Sequence, residues 1–209
     1  VVAEKRILDA CKRKGLAEVS QYSFNKGGLV EGPSIRLAEV MAQNWGNLDY
    51  GVTELERKDG VSTMMAYCWD IETNVRRSQV FTVRHWRDTK GGGYRLKDER
   101  DVYEVTANQG SRRVRACILA VIPGDIVDAA IAQCDKTLAA ANGDKPIKER
   151  ISEMVKLFER FEVTQDLIEK FLGHPLTVER TTESEMLRMK KIFMAIQDKV
   201  AKPEDYFLM

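Results

Sequence analysis

Three strand-like runs follow one another in the first half of the chain, separated only by short turns. They cover residues 48–57, 61–71 and 75–86. Asp59-Gly60 and Thr73-Asn74 supply the turns, and these residue types favour the sharp chain reversals of tight hairpins. Because strands joined by short turns run antiparallel, we expect a three-stranded antiparallel β-meander.

The middle run also predicts which of its faces is buried. Every second residue from Val61 to Ile71 lies on one side of the strand, and that side includes Tyr67 and Trp69. An alternation of this period is typical of a half-buried strand. We therefore expect Trp69, like Trp45, to lie in the core.

Helical periodicity accounts for most of the remaining chain. The predicted helices cover residues 2–13, 34–45, 98–122, 125–138, 147–161, 164–172 and 182–200. The sequence Asn108-Gln109-Gly110 can interrupt the third of them, and residues 139–146 have the composition of a linker. The fold class is therefore α+β, an antiparallel three-stranded meander packed on helices and followed by a small C-terminal helical bundle. We expect one domain at residues 1–140 and another at residues 147–209.

The segment 109–121 places three arginines at the head of an apolar helical stretch. One core-facing stripe recurs at helical spacing and consists of Val114, Cys117, Ile118 and Val121. Arg112 and Arg115 are three residues apart, so they share another side of the helix. A helix that buries one face and carries guanidinium groups on another is suited to binding phosphates.

The net charge of +1 hides an uneven distribution. Between Arg76 and Arg115 there are eleven basic and five acidic residues, which gives a local charge of +6. From Asp144 onward twelve basic and thirteen acidic residues give −1. The middle of the chain therefore carries the electropositive surface, as expected of a module that meets a polyanion.

Two further segments of this basic region combine cations with aromatic rings. The third predicted strand carries arginines around Trp86, and a glycine-rich loop with Tyr94 follows it. Cations that follow a phosphate backbone beside rings that stack on bases are typical of single-strand binding grooves. The alternative interpretation is a solvated strand face and a flexible connection. Our candidate phosphate contacts are Arg112, Arg113 and Arg115, then Arg76, Arg77, Arg84, Arg87, Lys90, Arg95 and Lys26, and the candidate stacking residues are Trp86 and Tyr94.

The sequence gives little support to catalytic chemistry. Lys26-Gly27-Gly28 precedes a helix but fits neither the P-loop nor the dinucleotide-binding fingerprint, so we expect no nucleotide hydrolysis and no cofactor. The four cysteines are far apart and only His85 and His174 accompany them, so no metal-ligand spacing emerges. No Ser or Cys nucleophile has an evident partner, so we expect no catalytic residue. We expect a cytoplasmic protein with buried thiols and no membrane span.

Taken in order, these features resemble the phage single-strand annealing proteins of the Redβ/RecT group. The resemblance covers roughly residues 20–140 and is carried by a helix, a β-meander with basic strands, a glycine-rich loop and the arginine-led segment 112–120. Residues 32–39 and Asn44-Trp45-Gly46-Asn47 also resemble such proteins. The resemblance implies a curved antiparallel sheet packed on a helix, with subunits that assemble side by side into rings or helical filaments.

The resemblance also implies a function. Proteins of this group hold one DNA strand with its bases exposed, accept the complementary strand and keep the annealed duplex, without ATP. The implied partners are single-stranded DNA, the annealed duplex, further copies of the chain, and an exonuclease or a host single-strand binding protein at residues 147–209. We expect the third strand and the arginine-led helix to form one continuous cationic track for the DNA.

Two other classes of protein stay open at this point. One is a metal-dependent nucleic-acid-processing enzyme that uses carboxylates such as Asp49, Asp70 and Asp88. The other is a phage structural or assembly protein whose basic stripe meets an acidic neighbouring subunit.

Overall fold

The computed structural model describes residues 2–25, 29–89, 92–141, 145–197 and 202–207. In chain order the helices are α1 (Val2–Cys11), α2 (Lys14–Ala17), α3 (Ile35–Trp45), α4 (Glu99–Val121), α5 (Gly124–Ala141), α6 (Ile147–Glu159), α7 (Gln165–Leu172) and α8 (Glu183–Gln197). The strands are β1 (Gln21–Asn25), β2 (Leu29–Pro33), β3 (Leu48–Lys58), β4 (Val61–Asp70), β5 (Val75–Arg84), β6 (Trp86–Thr89) and β7 (Gly92–Arg95). A short 3₁₀ turn covers Pro203–Asp205.

The chain divides into two compact units. The first comprises residues 1–10 and 34–130, and the second comprises residues 11–33 and 131–209. The division passes through α5 rather than through the predicted linker at residues 139–146, since α5 continues to Ala141. The separate roles expected of residues 1–140 and 147–209 stay predictions.

The first unit contains the predicted antiparallel meander, with β4 between β3 and β5. Asp59, Gly60 and Asn74 have positive φ values of 53°, 78° and 59°, so left-handed residues close both hairpins as the turn chemistry predicted. The helix predicted after Pro33 is also present. Ser34 Oγ accepts a hydrogen bond from Leu37 N at 3.1 Å at the start of α3.

The buried face of β4 is the opposite of the predicted one. Its buried residues are Ser62, Met64, Ala66, Cys68 and Asp70. Helix α4 packs on this side, where the Cys117 thiol donates to the carbonyl oxygen of Ala66 at 3.7 Å. Ala66 and Cys68 have small side chains, which let the backbone of α4 approach the sheet closely. This side of β4 therefore faces the core. The expectation that Trp69 lies in the core was wrong, because its side is turned away from α4 and the residue is 36% exposed.

Helix α4 runs without a break, so the interruption allowed near Gly110 does not occur. The Asp98 carboxylate begins the helix by accepting hydrogen bonds from the backbone N–H groups of the first turn. Gly110 lies against the sheet, where a Cβ atom would sit 3.0 Å from Val52 Cγ2. Glycine at this position therefore serves close packing. Of the predicted apolar stripe, Val114, Cys117 and Ile118 are buried, whereas Val121 is half-buried.

The second unit combines a hairpin with a helical cluster. β1 and β2 pair antiparallel from Gln21 opposite Pro33 to Asn25 opposite Leu29. This pairing satisfies backbone polar groups of both strands. The predicted C-terminal helices are present as α6, α7 and α8, and their side chains form one hydrophobic core that includes Phe158.

Candidate nucleic-acid interface

The arginines of β5 point to two different sides of the sheet. In the pairing of β4 with β5, Arg76 lies opposite Trp69 on the side away from α4. Arg77 lies opposite Cys68, on the side that α4 covers. The sheet therefore lies between Arg76 and the arginines of α4, so β5 and α4 do not form the single cationic track that we expected.

The three arginines of α4 have different surroundings. Arg112 is exposed and forms no side-chain hydrogen bond or ion pair with any residue that the structure describes. Arg113 Nη1 donates to the backbone oxygen and to Oε1 of Gln109, at 3.0 and 2.8 Å, and its guanidinium stacks on the ring of Phe81. Arg115 is half-buried. Arg112 is thus the member of this group that is best placed to meet an incoming phosphate.

The residues at the predicted end of the third strand form a separate hairpin. In the pairing of β6 with β7, Trp86 lies opposite Arg95 and Arg87 lies opposite Tyr94. Directly opposite residues share a face, so Trp86 and Arg95 lie on one face and Arg87 and Tyr94 on the other. The two candidate stacking rings therefore do not share a surface. Arg87 is also ion-paired with a carboxylate of α4, at 3.3 Å.

One cleft brings three of the predicted contact residues together. It has a volume of about 620 Å³ and is lined by Arg84, Trp86 and Arg95. Its remaining lining is mixed and comprises Asp59, Gly60, Val61, Thr82, Val83, His85, Asp88, Val105 and Gln109. Sites for small organic groups typically occupy roughly 300–1,000 Å³ and combine apolar walls with a few polar groups. The cleft has both properties.

The two guanidinium groups of the cleft can reach a ligand. Among the described residues, neither Arg84 nor Arg95 is joined to another side chain by an ion pair or a hydrogen bond. Arg95 lies over the turn between β3 and β4, where a Cβ atom on Gly60 would sit 2.8 Å from its Nη2. The carboxylates of Asp59 and Asp88 also line the cleft, so its lining contains both cationic and anionic side chains. The cleft is therefore suited to a ligand with both an anionic and a neutral part.

His85 has a partner that sequence analysis did not identify. Ser62 Oγ lies 2.7 Å from His85 Nε2, and both side chains are buried. Burial, followed by the positive charge of Arg57, lowers the pKa of His85. Because Ser62 is fully buried, the pair satisfies polar groups inside the fold and does not offer a nucleophile to a substrate. The contact between Ser62 and His85 depends on the register of the strands, which amino-acid composition does not predict.

Two predicted contacts, Lys26 and Lys90, lie outside the described residues. Within the part of the chain that the structure describes, no three His, Cys, Asp or Glu side chains are grouped so that they could hold a metal ion. Cys11, Cys68, Cys117 and Cys134 are buried and unbridged, as predicted. None of the helices in the described ranges combines the length and the apolar character that crossing a membrane requires.

Comparison of the chain with protein-family models, with curated proteins and with solved structures found no match. The relationship to the Redβ/RecT group therefore stays a prediction.

Proposed function

We propose that this chain binds single-stranded DNA and promotes the ATP-independent annealing of complementary strands. The observation that carries the proposal is the cleft in which Arg84, Trp86 and Arg95 meet. Its guanidinium groups match phosphate oxygens, and its exposed ring matches the face of a base. Such contacts do not depend on base sequence, as annealing of arbitrary strands requires.

We also propose that the chain acts as a ring or helical oligomer. Among the described residues, the outer edges of β3 and β5 pair with no further strand. An unpaired sheet edge is a template for strand addition, so edge pairing between copies would set their clefts in a row. The protein would then need only to concentrate and align the strands, because base pairing itself supplies the free energy.

The proposal is tested by fluorescence anisotropy with a labelled single-stranded oligonucleotide, titrated over a range of salt concentrations. The double variant Arg84→Ala/Arg95→Ala is expected to lose at least about tenfold in affinity on unrelated sequences. The salt dependence should flatten by about 1.4 in its logarithmic slope, roughly 0.7 for each lost phosphate contact. The matched control is Arg36→Ala/Arg160→Ala, which removes two exposed arginines that do not line the cleft.

A second assay separates annealing from the other classes. Complementary oligonucleotides are mixed with the full chain without ATP, and duplex formation is followed by fluorescence. Faster duplex formation supports the proposal. Cleavage that requires a divalent metal ion would instead indicate a nucleic-acid-processing enzyme. Failure of the wild-type chain to bind any oligonucleotide would overturn the proposal and would favour a structural or assembly protein.

A further inference from the structure

The indole of Trp86 is held in one orientation by two neighbours on its own hairpin. Its Nε1–H donates to Oδ1 of Asp88 at 3.0 Å. The ring also lies directly against the backbone of the opposite strand, where a Cβ atom on Gly93 would come within 2.1 Å of Nε1. Only a residue without a side chain leaves room for the indole there.

The ring nevertheless stays accessible, since Trp86 is 45% exposed and lines the cleft. One side of the indole is therefore occupied by the hairpin while another borders the cavity. Large aromatic residues at the surface usually retain rotamer freedom, which must be lost when a ligand stacks on them. Here the hydrogen bond and the glycine contact have already fixed the ring.

The rest of the cleft favours a nucleobase beside this ring over a bare phosphate. Val61, Val83 and Val105 give the cavity apolar surface. The amide oxygen of Gln109 accepts from Arg113, which leaves the amide N–H groups of Gln109 to meet the polar edge of a base. Arg95, directly opposite Trp86 in the hairpin, and Arg84 supply cations for the adjoining phosphates. A base inserted here would be unstacked and unpaired, which a duplex does not permit without opening.

We infer that Trp86 is a preorganised stacking surface for one unpaired base, and that Asp88 and Gly93 are its positioning residues. The inference rests on the proposed binding of single-stranded DNA and adds the reason for preferring single strands to duplex. Asp88 and Gly93 act through the ring and need not touch the DNA.

The test uses single-stranded oligonucleotides that contain one 2-aminopurine, a base analogue whose fluorescence is quenched by stacking. Wild-type protein is expected to quench it, and Trp86→Leu is expected to remove the quenching and to lower affinity about tenfold. The matched control is Tyr103→Leu, because Tyr103 is an exposed aromatic residue of α4 that does not line the cleft. That variant should keep the quenching.

The positioning residues are tested by two variants of Asp88 and one of Gly93. Asp88→Asn retains an oxygen that can accept the Trp86 hydrogen bond, so quenching should persist, whereas Asp88→Ala and Gly93→Ala should reduce it. Oligonucleotides in which abasic sites replace bases test the same idea with unmodified protein, so the result does not depend on whether a variant folds. Wild-type protein should bind abasic DNA more weakly than normal DNA. Trp86→Leu should bind abasic DNA and normal DNA with equal affinity.

Two outcomes would overturn the inference while leaving the proposed function intact. One is tight binding of single strands without any quenching of 2-aminopurine. The other is equal quenching by wild type and Trp86→Leu. Complete absence of binding by wild type would instead overturn the proposed function itself, so the two failures are distinguishable.

Discussion

The guanidinium carbon of Arg113 lies 4.3 Å from the centroid of the Phe81 ring. The same group donates to Gln109 through Nη1, so Arg113 joins α4 to β5 while its two hydrogen bonds stay within the helix. A cation–π contact of this kind contributes roughly 0.5–2 kcal/mol. An arginine that fastens a helix to a sheet is poorly placed to follow a phosphate chain.

Arg113→Ala is therefore expected to lower the free energy of unfolding by about 1–2 kcal/mol. Arg112→Ala, one residue away and exposed, should change it by less than about 0.5 kcal/mol. Urea denaturation followed by circular dichroism measures both values. In the oligonucleotide titration, Arg112→Ala should lower the affinity for DNA more than Arg113→Ala does. Equal stability of the two variants would show that the Phe81 contact contributes nothing to the fold.

Gly110 makes a second prediction because two effects oppose each other there. Alanine is favoured over glycine in a helix interior by about 1 kcal/mol. Its Cβ atom would, however, sit 3.0 Å from Val52 Cγ2. We expect Gly110→Ala to be more favourable in a Val52→Ala background than in wild type, with a coupling on the order of 1 kcal/mol. A double-mutant cycle in urea measures it, and the same effect in both backgrounds would contradict close packing at this point.

Local sequence signals predicted the β-meander but not which face of its central strand is buried. Asp59, Gly60 and Asn74 adopt the left-handed conformations that their residue types favour, and those turns determine the strand order. The burial of one side of β4 depends instead on where α4 packs. Met64 and Met65 are adjacent, so the local pattern offers apolar residues to both sides, and the small Ala66 decides in favour of one.

The candidate site shows the same limit. Charge and aromatic content identified Arg84, Trp86 and Arg95, three of the twelve residues that line the cleft, because these properties belong to residue types. Which of them meet depends on strand parity, since Arg76 and Arg77 are neighbours in sequence and lie on opposite sides of the sheet. The separation of Trp86 from Tyr94 depends in turn on the hairpin register of β6 and β7, which no composition signal contains.

The two histidines should titrate on opposite sides of the ordinary value. Burial lowers the pKa of His85, which stays hydrogen-bonded to Ser62 as a neutral ring. The pKa of His174 is raised. Because the chain contains only two histidines, their ring proton signals can be followed separately by NMR during a pH titration. We expect one midpoint below and one above about 6.5, assigned by His174→Gln. Two midpoints on the same side would contradict one of these environments.

The contact of His174 with Glu185 predicts a pH-dependent stability. Nε2 lies 2.7 Å from Glu185 Oε1, and Nδ1 lies 2.9 Å from the carbonyl oxygen of Pro175. Because both partners are acceptors, the ring satisfies both only when both of its nitrogens carry protons. Burial alone would lower the pKa of His174, but these hydrogen bonds and the charge of Glu185 outweigh it and raise the pKa.

This contact also reaches the start of α8. Glu185 Oε2 accepts a hydrogen bond from Thr182 N at 2.7 Å, and Glu185 N donates to Thr182 Oγ1 at 3.2 Å, which is a capping box. The protonated ring of His174 therefore holds the carboxylate that caps the helix. Loss of that proton should loosen the cap and lower the stability of the second unit.

A group whose pKa is higher in the folded than in the unfolded state stabilises the fold fully below its unfolded value, near 6.5, and less as pH rises through the folded pKa. We expect the free energy of unfolding to fall by on the order of 1 kcal/mol as the pH rises from about 6 to about 8. His174→Gln should remove this part of the decline. His85 contributes with the opposite sign, because its lowered pKa reduces stability only as the pH falls below about 6.5. His85 therefore cannot account for a loss of stability as the pH rises. Urea denaturation of both proteins across this range is the measurement, and an unchanged slope in His174→Gln would rule out the histidine as its source.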